Sequence, residues 1–414
     1  MTLTDSETGS DDWWREVARR GTPWIGAGEN DGCCRVTFLW RDPQGDELTS
    51  PIRRVWLNIT GVTDHHQNAG PQGLSRLAGT DVWHWTTELS ATWRGSYCFI
   101  PRTDDCPFGA GNGPTAMAER RNVWRGLLAG AQADAFNPLR SWMGARGHAV
   151  SGAHLPLAPA QTAWREFDTQ GPMAPPPPAA LERRRWHSDR LGNSRDIWIF
   201  TTGQGDPARR PLAILLDGRF WSTQMPVWAP LMQLTAGGQL PEAVYLLIDA
   251  GDTARRGREL PGNAQFWLAV QEELLPRLGE WAPYHSDPAT TVVAGQSFGG
   301  LSAMYAALNW PERFGCVLSQ SGSYWWPNRD LAAPGESCRL LRQLEDGLGA
   351  GGSLKMFIEA GQREPLIRQV NDRLVAILGR TRHRVTYRVV DGGHDALCWR
   401  GGLLDGLRDL WAGL

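Results

Sequence analysis

Several features common in a chain of 414 residues are missing or scarce here. No stretch of about 18 or more consecutive apolar residues occurs, so no segment is long enough to cross a bilayer as a helix. The opening "MTLTDSETGSDDWWREVARR" is acidic and lacks the basic-then-apolar pattern of a secretion signal, so a cytoplasmic location is expected. Positive charge is not in excess. A formal net charge of −2 leaves no field to gather phosphates, which argues against a general nucleic-acid binder. Cysteine is sparse: seven residues, odd in number, scattered and without the repeated CxxC spacing of a zinc site. Adjacent Cys33-Cys34 fits no compact disulfide framework, and reduced thiols are expected. Lysine is scarce as well, so arginine carries the basic charge.

What is present points to a sizeable globular protein. Hydrophobic residues make up 41%, enough for more than one core, and the length predicts two domains. Tryptophan is abundant at 22 residues, most of it expected in packing. Some could line a site for a flat aromatic ligand, where a rigid face and an indole N–H both serve.

The rhythm of the chain changes twice. Residues 1–20 read as an amphipathic helix stopped at Gly21. From about 33 to 100, "CRVTFLWRD", "RVWLNITGV", "VWHWTTEL" and "GSYCFIPRTD" are β-branched and aromatic runs separated by turn residues. They predict an antiparallel β-sandwich of immunoglobulin-like kind, with "VWHWTTEL" read as core rather than as a cap on a pocket. Residues 136–160 show no period and read as a surface connection. Four consecutive prolines within 171–188 favour a stiff linker, so the expected division is a sandwich over 1–170, a linker over 171–180 and a second domain over 181–414. Beyond it, buried apolar strands such as "PLAILLDGRFW" and "PEAVYLLIDAG" alternate with helices. That pattern predicts an α/β-hydrolase-like, doubly wound and mostly parallel sheet with its chemistry at the strands' carboxyl ends.

One pentapeptide sits where such chemistry would be. Gly295-Gln296-Ser297-Phe298-Gly299 follows the strand-like "TTVVA" and opens a helix, the context in which G-x-S-x-G raises a serine above the sheet. A serine hydroxyl needs a base. In this fold the base follows the serine on the loop after a late strand, which selects His394 in "RVVDGGHDALCWRGGL"; His383 precedes that strand and lies on the wrong side. For the third member, which would hold the imidazole tautomer, Glu359, Glu364, Asp391 and Asp395 are candidates. Glu364 is favoured because it lies on the loop after a strand, whereas Glu359 falls within it. The oxyanion would take the N–H of Phe298 and, after "AILLDG", the N–H of Arg219, with Gly218 allowing the turn.

These residues carry a resemblance. The second domain resembles the esterases that include feruloyl esterases, S-formylglutathione hydrolase and the mycolyltransferase antigens. More closely, the chain resembles the enterochelin (enterobactin) esterases along nearly its whole length. "ILLDGRFW", "VVAGQSFGGLSAMYAALNWPERFG", "LSQSGSYWW", "EAGQREPLI" and "DGGHDALCWRGGL" carry the match, and "RVTFLWRD" with "VWLNITGVTDHH" resembles their amino-terminal sandwich. The resemblance implies a cytoplasmic hydrolase that opens the tri-serine lactone of a ferric catecholate siderophore, with Ser297 as nucleophile and His394 as base. Such a substrate is a compact trianion. Arg255, Arg256 and Arg258, on the loop after "YLLIDAG", would meet its charge and stack on catechol faces, with Tyr324, Trp325 and Trp326 on the same rim. No metal site of the protein's own is visible in the sequence, so no cofactor is expected and iron would arrive with the substrate.

Three other readings stand beside this one. A feruloyl-type carbohydrate esterase would use the sandwich as a sugar-binding module, but such substrates lie outside the cell. An acyltransferase would need an acceptor pocket. A non-catalytic siderophore-binding protein would have no use for a strained serine beside a base. No nucleic-acid or membrane partner is expected.

Overall fold

Ser10 begins the first helix, Asp11–Arg20, by accepting a hydrogen bond from Trp13 N, and Gly21 ends it at φ 79°. From there the computed structural model describes residues 3, 5–67, 70–111, 116–144, 147–169, 178–332 and 335–414. The chain divides into two compact units. One holds Met1–Gln161, Arg165–Met173 and Asp391–Cys398; the other holds Thr162–Trp164, Ala174–Val390 and Trp399–Leu414. The single cut expected near the prolines is therefore not the whole division, because a late loop packs with the first unit. Residues 171–177 of the expected linker lie outside the described residues.

The first unit is built from β1 (Trp24–Ala27), β2 (Cys33–Arg41), β3 (Arg54–Ile59), β4 (Gln72–Gly73), β5 (Ser75–Arg76), β6 (Val82–Ser90), β7 (Arg94–Arg102), β8 (Trp142–Met143) and β9 (Ala149–His154). They form two antiparallel sheets, β1-β2-β6-β5 and β4-β3-β7-β9-β8. Alternation sends Val36, Phe38 and Trp40 of β2, Trp83 of β6, Val55 and Leu57 of β3, and Tyr97 and Phe99 of β7 into one shared core. The "VWHW" run is thus core. The stretch 136–160 is not a bare connection: β9 pairs with β7, Gly95 opposite Ala153. Its mixture of small and polar residues gave no period to read.

The second unit carries β10 (Leu181–Ser188), β11 (Asn193–Thr201), β12 (Leu212–Leu215), β13 (Val244–Ile248), β14 (Val292–Gln296), β15 (Cys316–Gln320), β16 (Lys355–Gly361) and β17 (Arg384–Val390). The sheet order is β10-β11-β13-β12-β14-β15-β16-β17. β10 and β11 are antiparallel, and the strands from β13 to β17 are parallel. β12, β13, β14 and β15 are buried along their whole length, which fits the apolar runs they open with; β14 and β15 end in the polar Gln296 and Ser319-Gln320. Each buried Val, Leu or Ile there contributes about 1.5–3 kcal/mol. β10 was hidden by its charge, since "LERRR" alternates against β11 as a largely exposed edge strand.

Candidate active site

Three neighbouring parallel strands, β12, β14 and β15, end in residues that leave the ordinary backbone regions. Asp217 has φ 56°, Ser297 φ 60° and Ser321 φ 49°, three of the four described non-glycine residues with positive φ. Such conformations cost about 1–3 kcal/mol each and persist where the surroundings impose them. For Ser297 the imposition is visible. Its N–H donates to Gln320 O at 2.9 Å, its carbonyl accepts from Ser323 N at 3.0 Å, and helix Phe298–Asn309 starts at the next residue. Gly295 is needed because a Cβ there would sit 2.4 Å from the Gly299 carbonyl carbon. The result is a half-buried hydroxyl at a helix N-terminus, where first-turn N–H groups have no intrahelical partner. The Ser297 and Ser323 hydroxyl oxygens are 3.2 Å apart.

The turn after β12 braces the same point. Asp217, not Gly218, takes the left-handed conformation. Its carboxylate accepts from Arg256 Nε at 2.6 Å and Nη2 at 2.7 Å, and Arg256 Nη2 also donates to Gln296 O at 3.1 Å. Sequence reasoning missed Asp217 and Ser323. An acidic residue at the end of a buried strand and the serine-rich "SQSGS" were the available signals.

Beneath the edge runs a buried polar chain. Trp221 Nε1 donates to Gln296 Oε1, Gln296 Nε2 to Gln320 Oε1, and Gln320 Nε2 to Glu359 Oε1 at 2.7 Å. Glu359 also accepts from Arg388 Nε at 2.6 Å. Burial pushes the Glu359 carboxyl up, against the pull of Arg388. Glu359 is therefore committed to holding three strands together. Glu364 is equally buried but stands after β16, as the sequence indicated. It accepts from Gly361 N at 2.8 Å and from the Ser321 hydroxyl at 2.7 Å, and that hydroxyl accepts from Trp399 Nε1.

The proposed binding residues fare unevenly. Arg255, Arg256 and Arg258 lie on a short helix, Thr253–Glu259, and not on a loop, because Asp252 caps it by accepting from Arg255 N. Arg255 and Arg219 line a cleft of about 440 Å³ with Arg185, Arg195, Asp249 and Asp252. The Arg219 side chain donates to Asp249 at 2.8 Å. Arg256 is engaged with Asp217, and Arg258 is exposed. Tyr324 is a correction: it is fully buried and its hydroxyl lies 2.6 Å from Ser319 Oγ, so it belongs to the core. Trp325 is buried beside it, and half-buried Trp326 carries the Arg339 guanidinium 4.5 Å over its ring. The aromatic run "SYWW" reads alike for a rim and for a core, and packing decided two of its three rings.

His394 follows β17 in the chain, on the loop that belongs to the first unit, whereas Ser297 and Glu364 belong to the second. Within its own unit the His394 ring lies 5.2 Å from the ring of His66. Asp64, His65 and His66 form a group absent from the sequence reading: their ligand-type atoms lie within 4.8 Å of one another. Asp64 is committed to the turn it closes, accepting from His66 N at 3.1 Å and facing His66 Nδ1 at 3.1 Å. Burial pushes the Asp64 carboxyl up, but His66 and backbone donors outweigh it and hold the carboxyl low. No described helix is long and apolar enough to cross a membrane.

Comparison with known proteins places this geometry. A family model described as "Enterochelin esterase, N-terminal" matches residues 35–164, and an esterase family model matches residues 192–410. The chain is 55% identical to the iron(III) enterobactin esterase of Escherichia coli O6:H1, over 99% of this chain and 98% of that protein. A crystal structure of ferric enterobactin esterase from Salmonella typhimurium superposes with a TM-score of 0.87 at 55% identity, covering 97% of this chain and 98% of that one. The Shigella flexneri enterobactin esterase, crystallised in the presence of enterobactin, gives 0.85 at 52% identity, covering 98% and 99%.

Proposed function

The chain belongs to the enterochelin esterase family, and from that premise we propose that it is a serine esterase that hydrolyses the trilactone of ferric enterobactin. The observation that carries the chemistry is Ser297, held at φ 60° between β14 and the helix it opens.

In the proposed reaction the Ser297 oxygen attacks a lactone carbonyl carbon while His394 takes the hydroxyl proton. The N–H groups of Phe298 and Arg219 would receive the charge that develops on the carbonyl oxygen. Collapse breaks the ester C–O bond, and the departing serine alkoxide takes the proton back from the imidazolium. A seryl ester remains. Water, activated by the same histidine, then cleaves it to a carboxylic acid and restores Ser297. Glu364 would hold the imidazole and stabilise its charged form; its place after β16, and the engagement of Glu359 by Gln320 and Arg388, support that role over Glu359.

The substrate's negative charge favours the arginine-lined cleft with Arg219 and Arg255, and half-buried Trp326 would offer a stacking face. Arg256 would brace the serine turn. The reading needs no resident cofactor, since iron enters bound to the substrate, and it places the reaction in the cytoplasm. The amino-terminal sandwich, two antiparallel sheets around one core, supports the immunoglobulin-like reading.

The test is hydrolysis of ferric and iron-free enterobactin, followed by chromatography, for wild type and Ser297→Ala. Loss of the cyclic trilactone to linear dihydroxybenzoylserine products, abolished in the variant, is the expected result. Binding without cleavage by the wild type would favour a carrier instead.

A further inference from the structure

The loop that bears His394 is built into the sandwich unit, and its fastening is unusually complete. Arg94 N donates to Asp391 O at 3.1 Å, and Thr92 Oγ1 donates to Asp391 Oδ2 at 2.9 Å. Ser96 N donates to Asp395 Oδ2, so β7 and Thr92, two residues before it, hold the loop on both sides of His394. Between these points the loop lies directly on the turn after β3. A Cβ at Gly393 would sit 2.6 Å from both Gly61 Cα and Gly61 N, a contact of backbone with backbone.

That turn is rigid for its own reasons. Thr63 Oγ1 donates to Leu57 O at 2.7 Å and accepts from Ile59 N at 2.8 Å, which closes it against β3. Asp64 then fixes His66 through backbone and ring together, and the His65 ring lies 3.9 Å from that of His66. The outcome is an imidazole whose plane is set by a buried carboxylate, tilted 45° against the His394 ring at 5.2 Å.

We propose that the sandwich unit is the scaffold of the catalytic base, and that the Asp64–His66 pair is its positioning element, holding the His394 ring in one orientation. This rests on reading His394 as the base. A general base is effective only when its ring nitrogen is aimed within hydrogen-bond reach of the proton it takes, and small misplacements are expensive. A neighbouring ring clamped by Asp64 removes rotations of His394 that a loop histidine would otherwise sample. It also gives the amino-terminal sandwich a part in catalysis rather than in sugar or partner binding.

Steady-state kinetics on ferric enterobactin, with melting temperature recorded for each variant, tests this. His66→Ala should lower kcat about 10- to 100-fold with KM little changed. His66→Phe, which restores a flat ring at the same place, should recover most of that loss. Asp64→Asn, which keeps an acceptor for His66 N but drops the charge facing its ring, should fall between them. Adding His66→Ala to His394→Ala should cost nothing further, because a positioning group has no role without the group it positions. Wild-type kcat in His66→Ala, or equal losses in the two His66 variants, would overturn the proposal. So would an additive loss in the double variant. Should His394→Ala alone retain full activity, the assignment of the base fails first, and the two failures are thereby told apart.

Discussion

Asp217 and Arg256 form a two-pronged ion pair, with Nε and Nη2 at 2.6 and 2.7 Å from the two carboxylate oxygens. The same guanidinium reaches the carbonyl of Gln296, one residue before Ser297, at 3.1 Å. Both side chains keep about a quarter or less of their surface, so solvent screens the pair only in part. Asp217→Asn should therefore loosen the serine turn as well as the fold. The expected loss is about 1–2 kcal/mol in denaturant unfolding, with kcat reduced more than KM is raised. Unchanged kcat in a folded variant would remove Arg256 from the support of Ser297.

The serine turn has no room for a side chain behind it. Gly295→Ala places a methyl 2.4 Å from the Gly299 carbonyl carbon, which is backbone and cannot swing aside. Thermal unfolding should show a loss of about 1–3 kcal/mol, and a folded fraction should hydrolyse ester poorly because Ser297 is displaced. A stable, active variant would contradict the geometry of the turn.

The two buried glutamates should separate cleanly. Glu359 is committed to Gln320 and Arg388, and Glu364 stands on the loop after β16 with Ser321. Glu364→Gln is expected to cut kcat by about 10²- to 10⁴-fold at little cost in melting temperature. Glu359→Gln should do the reverse, lowering stability while a folded enzyme keeps most of its rate. Parallel kinetics and melting curves decide; the opposite pattern would move the third catalytic role to Glu359.

His383 predicts a pH effect on stability alone. Burial holds its imidazole below the ordinary 6.5, and Leu354 N donates to its Nδ1 at 3.1 Å, a bond that needs the nitrogen unprotonated. A histidine with a depressed folded pKa contributes stability that is present above its unfolded value and is lost as pH falls. Urea unfolding should therefore weaken as pH drops below about 6.5, and His383→Asn should flatten that part of the profile. An unaltered slope in the variant would assign the acid sensitivity elsewhere.

How far the sequence reached depended on whether one stretch of chain contained the whole cause. β12 to β15 were legible because strands buried on both faces open with runs of apolar residues, even where β14 and β15 close with polar ones. Ser297 was legible because the turn, its glycines and the following helix all lie within a dozen residues. β9 and β10 were not, since small residues in one and arginines in the other erase the period. Tyr324 was misplaced because an aromatic after a strand serves a rim and a core alike, and only the Ser319 contact decides. Asp217 and the Asp64–His66 pair depend on partners 39 and more residues away in the chain, or on ring packing, neither of which a local pattern encodes.

The most direct measurement is rapid quenching of the wild-type protein with ferric enterobactin, then peptide mass spectrometry for a covalent acyl group. The account expects the peptide containing Ser297 to carry a dihydroxybenzoylserine-derived ester that appears and decays within the turnover time. Full turnover with no adduct, or an adduct on another residue, would contradict it.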